Sequence, residues 1–327
     1  MYNAFENVMS YPYDEFNNIN EMPDVINISD HLNGFNEDFS NVLFDKLVKP
    51  HTVVTHTIFD EKITNRYPHL RFKFSADMQN YFNFNHFKNY NIHPEINFEN
   101  FICSFNGAHH TGRQLLVSAL NKFGYFNKDY CSKNFTKTGI NIEGIISEYV
   151  PNVEFYNKFF DCTDIFNQQV YSLGKTNYDH LNEDSRFKHN SNIPYLEHKI
   201  TQSFLHVVGE TLSTGYYPFV TEKSMYSVVT RGLFLAYAQP GWHAHIEKYY
   251  GFKLYTKLFD YHFDSITNPV ERLVELMTMI SKFSKLTPHE WYDLYLLESD
   301  AIEYNYNHYF SNNYLKSLKQ FDNTNTI

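Results

Sequence analysis

Residues 205–241, LHVVGETLSTGYYPFVTEKSMYSVVTRGLFLAYAQPG, constrain this chain more than any other stretch. An apolar run at 203–208 gives way to a polar loop at 209–221, and an amphipathic helix is expected over 222–230. A second apolar run at 233–238 follows, closed by a turn at Gln239, Pro240 and Gly241. Two strands joined through a helix lie parallel in one sheet with a right-handed crossover. The segment therefore predicts an α/β fold. It also gathers Glu210, Glu222, Lys223 and Arg231 around the loop that such sheets use for ligands.

A second unit of the same kind starts near residue 100. The run 101–105 reads as a buried strand, 106–112 as a loop with Gly107 and Gly112, and 113–123 as a helix with Leu115, Leu116 and Leu120 on one face. Gly124 is placed to stop that helix. Earlier, the β-branched run 52–59 predicts a strand with Asp60 and Glu61 at its carboxyl end. Residues 80–100 read as irregular linker or short strands, 140–149 as a short element and 171–192 as a long polar loop.

Past the central segment, 242–250 predicts a short helix ending at Gly251, and 258–263 a short apolar element. Pro269 opens an amphipathic helix with Glu271 near its positive end. Thr287, Pro288 and Glu290 make a capping-box start for another.

The 327 residues are enough for two domains of ordinary size. Apolar runs fall far short of the roughly 20 residues that cross a bilayer, so no integral membrane contact is expected. The first residues lack a basic start followed by an apolar core, which predicts no secretory signal and a cytoplasmic location. Cys103, Cys131 and Cys162 are odd in number and widely spaced, which fits a reducing compartment. No C-x-x-C pair offers a structural zinc site, and the neighbours His109 and His110 rarely converge on one ion, so no metal is expected. A net charge of −10 weakens broad attraction to nucleic acid while leaving room for a local basic cleft.

Val207, Val208, Gly209, Glu210 and Thr211, followed by Phe219, Val220, Thr221, Glu222 and Lys223, resemble the donor-binding half of the fucosyltransferase-like glycosyltransferases, particularly compact bacterial and viral relatives. The unit FICSFNGAHHTGRQLLVSALNKFG resembles that family's first donor-domain strand and helix, with Arg113 falling on its donor-contacting arginine. The stretch 232–241 looks like the family's next strand and Pro-Gly turn, and 268–271 like the start of a later helix. Together the likeness covers about half the chain, roughly 100–285.

The resemblance implies a glycosyltransferase B arrangement, two Rossmann-like domains facing each other across a cleft. Residues 1–98 would form the acceptor side, 99–285 the nucleotide-sugar side, and 286–327 helices packing across or back toward the first domain. The implied reaction is inverting, metal-independent sugar transfer from a nucleotide diphosphate sugar, GDP-fucose being the family's default. A glycan hydroxyl is the first-choice acceptor, ahead of a hydroxymethylated base in viral DNA. A noncatalytic nucleotide-sugar or glycan-binding protein, or a capsid-associated or host-interaction protein, would share the fold without the reaction.

Without a metal, the charge growing on a departing pyrophosphate must meet cations and backbone donors. Lys223 suits this as a point charge and Arg113 as a forked ligand, with Thr221 capping a helix whose first amides add donors. Glu222 and Glu210 repel phosphate and suit ribose or sugar hydroxyls instead. Glu61, then Asp60, are the candidates for general base, which the resembled family draws from its amino-terminal domain. His109 and His110 are candidate donor or acceptor contacts. Trp242 and His243 either pack behind the turn or wall the nucleotide base. Plainer roles compete: a solvent-facing first-turn pair for Glu222 and Lys223, and a solvent cap for Glu210. Arg113 near a helix start is unfavourable without an anion.

Overall fold

The computed structural model describes residues 25–28, 44–55, 57–59, 61–74, 88, 98–106, 110–126, 130–133, 198–215 and 217–319. The elements expected at 80–97 and 140–149, and the polar loop at 171–192, lie outside these residues but for Lys88.

The first hundred residues contribute a three-stranded parallel sheet, β1 (Val25–Ile28), β2 (His51–Thr55) and β3 (Leu70–Phe74), in the order β1-β2-β3. Strand β2 is β-branched and alternates: His51, Val53 and Thr55 are buried while Thr52 and Val54 are half-buried. Helix α1 (Glu61–Arg66) follows and returns the chain to β3. Aromatic rings build this small core. Phe44 meets Phe72, Tyr67 and Phe59 edge-on at centroid distances of 5.2, 5.4 and 5.5 Å.

A four-stranded parallel sheet holds β4 (Asn100–Asn106), β5 (Cys131–Lys133), β6 (Ser203–Gly209) and β7 (Phe234–Tyr237), with α2 (Thr111–Lys122) and α3 (Glu222–Val229) as crossovers. The spatial order is β5-β4-β6-β7. Every residue of β6 is buried, Ser203 and His206 included, as befits a central parallel strand that is otherwise apolar. From β4 the chain crosses by α2 to β5 on one side; from β6 it crosses by α3 to β7 on the other. The neighbours β4 and β6 therefore flank a topological switch point. The crevice outside their carboxyl ends is where open α/β sheets bind ligands.

From Trp242 onward the described elements are helices and helical turns. Helix α4 (Trp242–His245) runs into a π-helical turn (Ile246–Tyr250), and the apolar stretch expected at 258–263 ends in a 3-10 turn (Tyr261–Ser265). Helix α5 (Pro269–Ser281) is capped by Asn268 Oδ1, which accepts from the N–H groups of Val270 at 2.9 Å and Glu271 at 3.2 Å. Helix α6 (Pro288–Leu297) carries the full capping box of Thr287 and Glu290, and α7 (Ser299–Phe310) and α8 (Asn313–Lys319) follow.

These helices pack on the four-stranded sheet. Trp291 stacks on Phe101 at 5.6 Å and Phe204 at 6.1 Å, and Glu303 of α7 pairs with Arg231 at 2.6 Å. Tyr306 also reaches the Lys88 carbonyl at 3.4 Å. Between the two sheets, Phe59 meets Tyr217 at 5.1 Å and Phe74 meets Tyr250 at 6.0 Å. Among the described residues, no helix is long and apolar enough to cross a membrane.

Candidate functional site

A buried polar cluster sits at the switch point. Asn106 closes β4, Gly209 closes β6, Arg113 comes from the first turn of α2, and Glu210, Thr211, Thr221, Glu222 and Lys223 come from the two ends of the loop joining β6 to α3. Strand β6 and helix α2 approach closely here. A Cβ on Gly209 would lie 2.7 Å from Asn106 Oδ1 and 3.1 Å from Arg113 Cγ, so the strand end has room for glycine alone.

Arg113 is 3% exposed. Its Nε donates to the Gly209 carbonyl at 2.9 Å and its Nη2 to Thr211 Oγ1 at 3.3 Å. Burial lowers the guanidinium's pKa, and the carboxylates of Glu210 and Glu222 oppose that effect. An arginine nonetheless keeps its charge in such a place. Lys223 reaches the same Thr211 oxygen at 3.3 Å, Thr221 Oγ1 at 3.2 Å and Glu222 Oε1 at 2.9 Å. Thr211 Oγ1 thus lies between two cations.

The two acids differ. Glu210 is 1% exposed and both its oxygens are engaged: Oε2 accepts from Thr221 Oγ1 at 2.5 Å and Oε1 from Ser224 Oγ at 2.7 Å. It holds the start of α3 against the end of β6, which leaves neither oxygen bare for a sugar hydroxyl. Glu222 spends Oε1 on Lys223, while its buried Oε2 has no hydrogen-bond partner among the described residues. Asn106 Oδ1 is likewise buried without one, although its Nδ2 donates to Ser104 Oγ at 3.1 Å. Thr221 takes the N-cap position expected of it, accepting from the Lys223 N–H at 3.4 Å.

The loop between these ends is pinned along its length. The Gln239 side chain accepts from the Phe219 N–H at 2.7 Å and donates to the Tyr217 carbonyl at 2.6 Å. The Trp242 indole donates to the Phe219 carbonyl at 3.2 Å, and Arg272 donates to the carbonyls of Ser213 and Ala238. A loop held this way presents its donors without reorganising.

Trp242 is fully buried, so its ring packs behind the turn and offers no face to a nucleotide base. His243 is also buried. Its Nε2 accepts from the Ala236 N–H at 3.1 Å, which puts the ring proton on Nδ1, 2.8 Å from Asp264 Oδ1. Burial pushes the Asp264 carboxyl up, but the contact with the His243 ring and hydrogen bonds from the His243 and Ala244 N–H groups outweigh it and hold the carboxyl below its ordinary value. His243 is thereby committed to joining α4, β7 and the turn before α5.

Glu61 is exposed at the first position of α1, just after the loop that leaves β2. His110 is half-buried at the N-cap of α2, where its side chain makes no capping bond. Asp60 and His109 lie outside the described residues. Among the described residues no group of three or more His, Cys, Asp or Glu side chains could hold a metal ion.

Five contributors to this site escape sequence reasoning: Asn106, Thr211, Ser224, Gln239 and Arg272. Thr211 sits beside Glu210, yet its part depends on the distant Arg113. Gln239 reads as a turn residue. Comparison with protein-family models, curated proteins and solved structures gives no match.

Proposed function

We propose that this chain is an inverting glycosyltransferase that moves a sugar from a nucleotide diphosphate sugar to a hydroxyl acceptor, with its two parallel sheets facing each other as a glycosyltransferase B pair. The observation that carries this is the convergence of Arg113 and Lys223 on Thr211 at the switch point, beside the buried and unpartnered Glu222 Oε2. A buried arginine beside a half-buried lysine suits a pyrophosphate, and a carboxylate oxygen without a partner among the described residues suits a ribose or sugar hydroxyl. A nucleotide sugar carries both groups. The first amides of α3, an eight-residue helix, add donors on the same side.

In the proposed reaction the acceptor oxygen bonds to the anomeric carbon as the bond from that carbon to the β-phosphate oxygen breaks. The electron pair leaves on the diphosphate, where Arg113 and Lys223 meet it, so the charge is stabilised without a resident metal. The acceptor's proton passes to a carboxylate, for which Glu61 at the start of α1 is the candidate. The donor that the family resemblance implies is GDP-fucose, and the acceptor a glycan hydroxyl.

The test is a thermal-shift screen of nucleotide diphosphate sugars with chelator present, followed by mass analysis of glycan and modified-DNA acceptors with the best donor. Stabilisation by a nucleotide diphosphate and a product heavier by one sugar are expected. Binding without transfer or hydrolysis would make this a noncatalytic nucleotide-sugar protein, and no binding at all would end the proposal. Full-rate transfer by Glu61→Gln would remove that residue as base.

A further inference from the structure

Two side chains cross between the cores of the two sheets. Among the described residues, the core of the first sheet is built from the stretch between Phe44 and Phe72, with one member from elsewhere in the chain, Tyr217. Tyr217 comes from the middle of the loop that joins β6 to α3, is 8% exposed and meets Phe59 edge-on at 5.1 Å. Ile58 goes the other way. It stands on the loop after β2, yet its buried side chain joins the core of the four-stranded sheet. Neighbours 58 and 59 thus serve opposite cores, and each loop lends one side chain to the other sheet.

Both loops carry the chemistry proposed above. Thr211 and Thr221, at the two ends of one, bond Arg113 and Lys223. The other leads into α1, whose first residue is Glu61.

From Tyr217 to Thr221 the chain has little freedom. Pro218 has its φ fixed by its ring, Phe219 and Val220 are buried, and the Gln239 side chain bonds both the Tyr217 carbonyl and the Phe219 N–H. Tyr217 therefore has its backbone fastened to the second sheet and its ring seated in the first. It cannot follow one sheet without straining its hold on the other. A cavity of about 260 Å³, with Ile58 and Tyr217 among its walls, opens between the loop after β2 and the turn after β7. The two units do not meet there as one continuous packed face, which leaves their register to the crossed side chains.

We propose that Tyr217 is a positioning residue which, with Ile58 crossing opposite it, holds the loop before Glu61 in register with the cation cluster and makes the order of each depend on the other. The catalytic meaning of that register rests on the sugar-transfer proposal above; the mutual dependence of the two loops does not. Such coupling is reciprocal: a ligand that orders the cluster must also steady the first sheet, and loosening the first sheet must loosen the cluster.

The experiment is hydrogen exchange of the full chain, read by mass spectrometry at β2, β3, residues 219–223 and α6. Phe59→Leu breaks the ring contact from within the first sheet. It is expected to speed exchange at 219–223 about twofold to tenfold, as loss of an aromatic pair implies, with α6 unchanged. Tyr217→Ala should speed exchange in β2, β3 and 219–223 alike, while Tyr217→Phe keeps the ring and stays close to the parent chain. Added GDP should slow exchange at 219–223 and in β2 and β3 of the parent, but at 219–223 alone in Tyr217→Ala. Parental rates at 219–223 in Phe59→Leu overturn the proposal, as does acceleration spread evenly to α6, which marks a general loss of stability. GDP protection that stops at 219–223 in the parent overturns it too. If GDP slows exchange nowhere, the donor site falls and Phe59→Leu alone decides the coupling; it also decides should Tyr217→Ala fail to fold.

Discussion

Arg113 and Lys223, more than a hundred positions apart in the chain, share one oxygen: each donates to Thr211 Oγ1 at 3.3 Å. The hydroxyl holds two like charges together at the mouth of the switch point, where an incoming phosphate oxygen would take over part of its task. Lys223→Met removes one charge-assisted bond and should weaken a nucleotide diphosphate by about tenfold or more, read by calorimetric titration. Thr211→Val leaves both cations short of an acceptor, which should lower stability by about 1–2 kcal/mol in urea denaturation. Unchanged affinity in Lys223→Met would dissociate this cluster from nucleotide binding.

Glu210 ties α3 to β6 through two hydroxyls, Thr221 and Ser224. Glu210→Gln replaces one accepting oxygen by a donor, which must then face a hydroxyl that was itself donating. Hydrogen bonds to charged groups contribute about 1.5–3 kcal/mol, and a loss near the lower end is expected in denaturant unfolding. A stability equal to that of the parent chain would mean that the carboxylate's true partner is a ligand rather than the helix start.

The sequence made the outline of this site legible because its parts are local. Val207 and Val208, Thr221 before Glu222, and Leu115, Leu116 and Leu120 after Gly112 each announce a strand end, a cap or a helix face within a few residues. The sheet order was not legible: β5 is three residues long, and placing it beside β4 depends on pairing across the sheet. The same limit hid Thr211 as a bridge and Gln239 as a loop fastener, since Thr211 acts through Arg113, 98 positions away, and Gln239 through Phe219 and Tyr217, 20 and 22 positions away. For Trp242 and His243 the sequence left packing behind the turn and a nucleotide wall both open because exposure is a tertiary property, and both are buried.

Gln239 holds the middle of the ligand loop by pairing with both polar groups of the backbone around Pro218. Gln239→Leu keeps the bulk and removes both bonds, leaving the Phe219 N–H and Tyr217 carbonyl bare. A stability loss of about 2–4 kcal/mol is expected, from about 1–2 kcal/mol for each unmet group. Because Thr211 and Thr221 at the ends of the same loop hold the cations, nucleotide binding should weaken as well. Full retention of nucleotide affinity would show that the loop's ends and middle are positioned independently.

Two histidines set the response to acid. Burial pushes His206, whose Nδ1 lies 2.5 Å from Ser227 Oγ, down to about 3, and His245 to a similar value. In the unfolded chain a histidine titrates near 6.5. Between those values the unfolded state binds protons that the folded state refuses, so stability falls as pH drops below about 6.5, by about 1.4 kcal/mol per pH unit for each histidine. Asp264 acts elsewhere: its carboxyl is held below the ordinary value, so its contribution persists until pH falls through that depressed folded value. Urea denaturation at about pH 7.5, 6 and 5 should therefore show a progressive loss, steepening below 6.5, that His206→Gln and His245→Phe each reduce. A profile flat across that interval would mean that both imidazoles take up a proton in the folded protein.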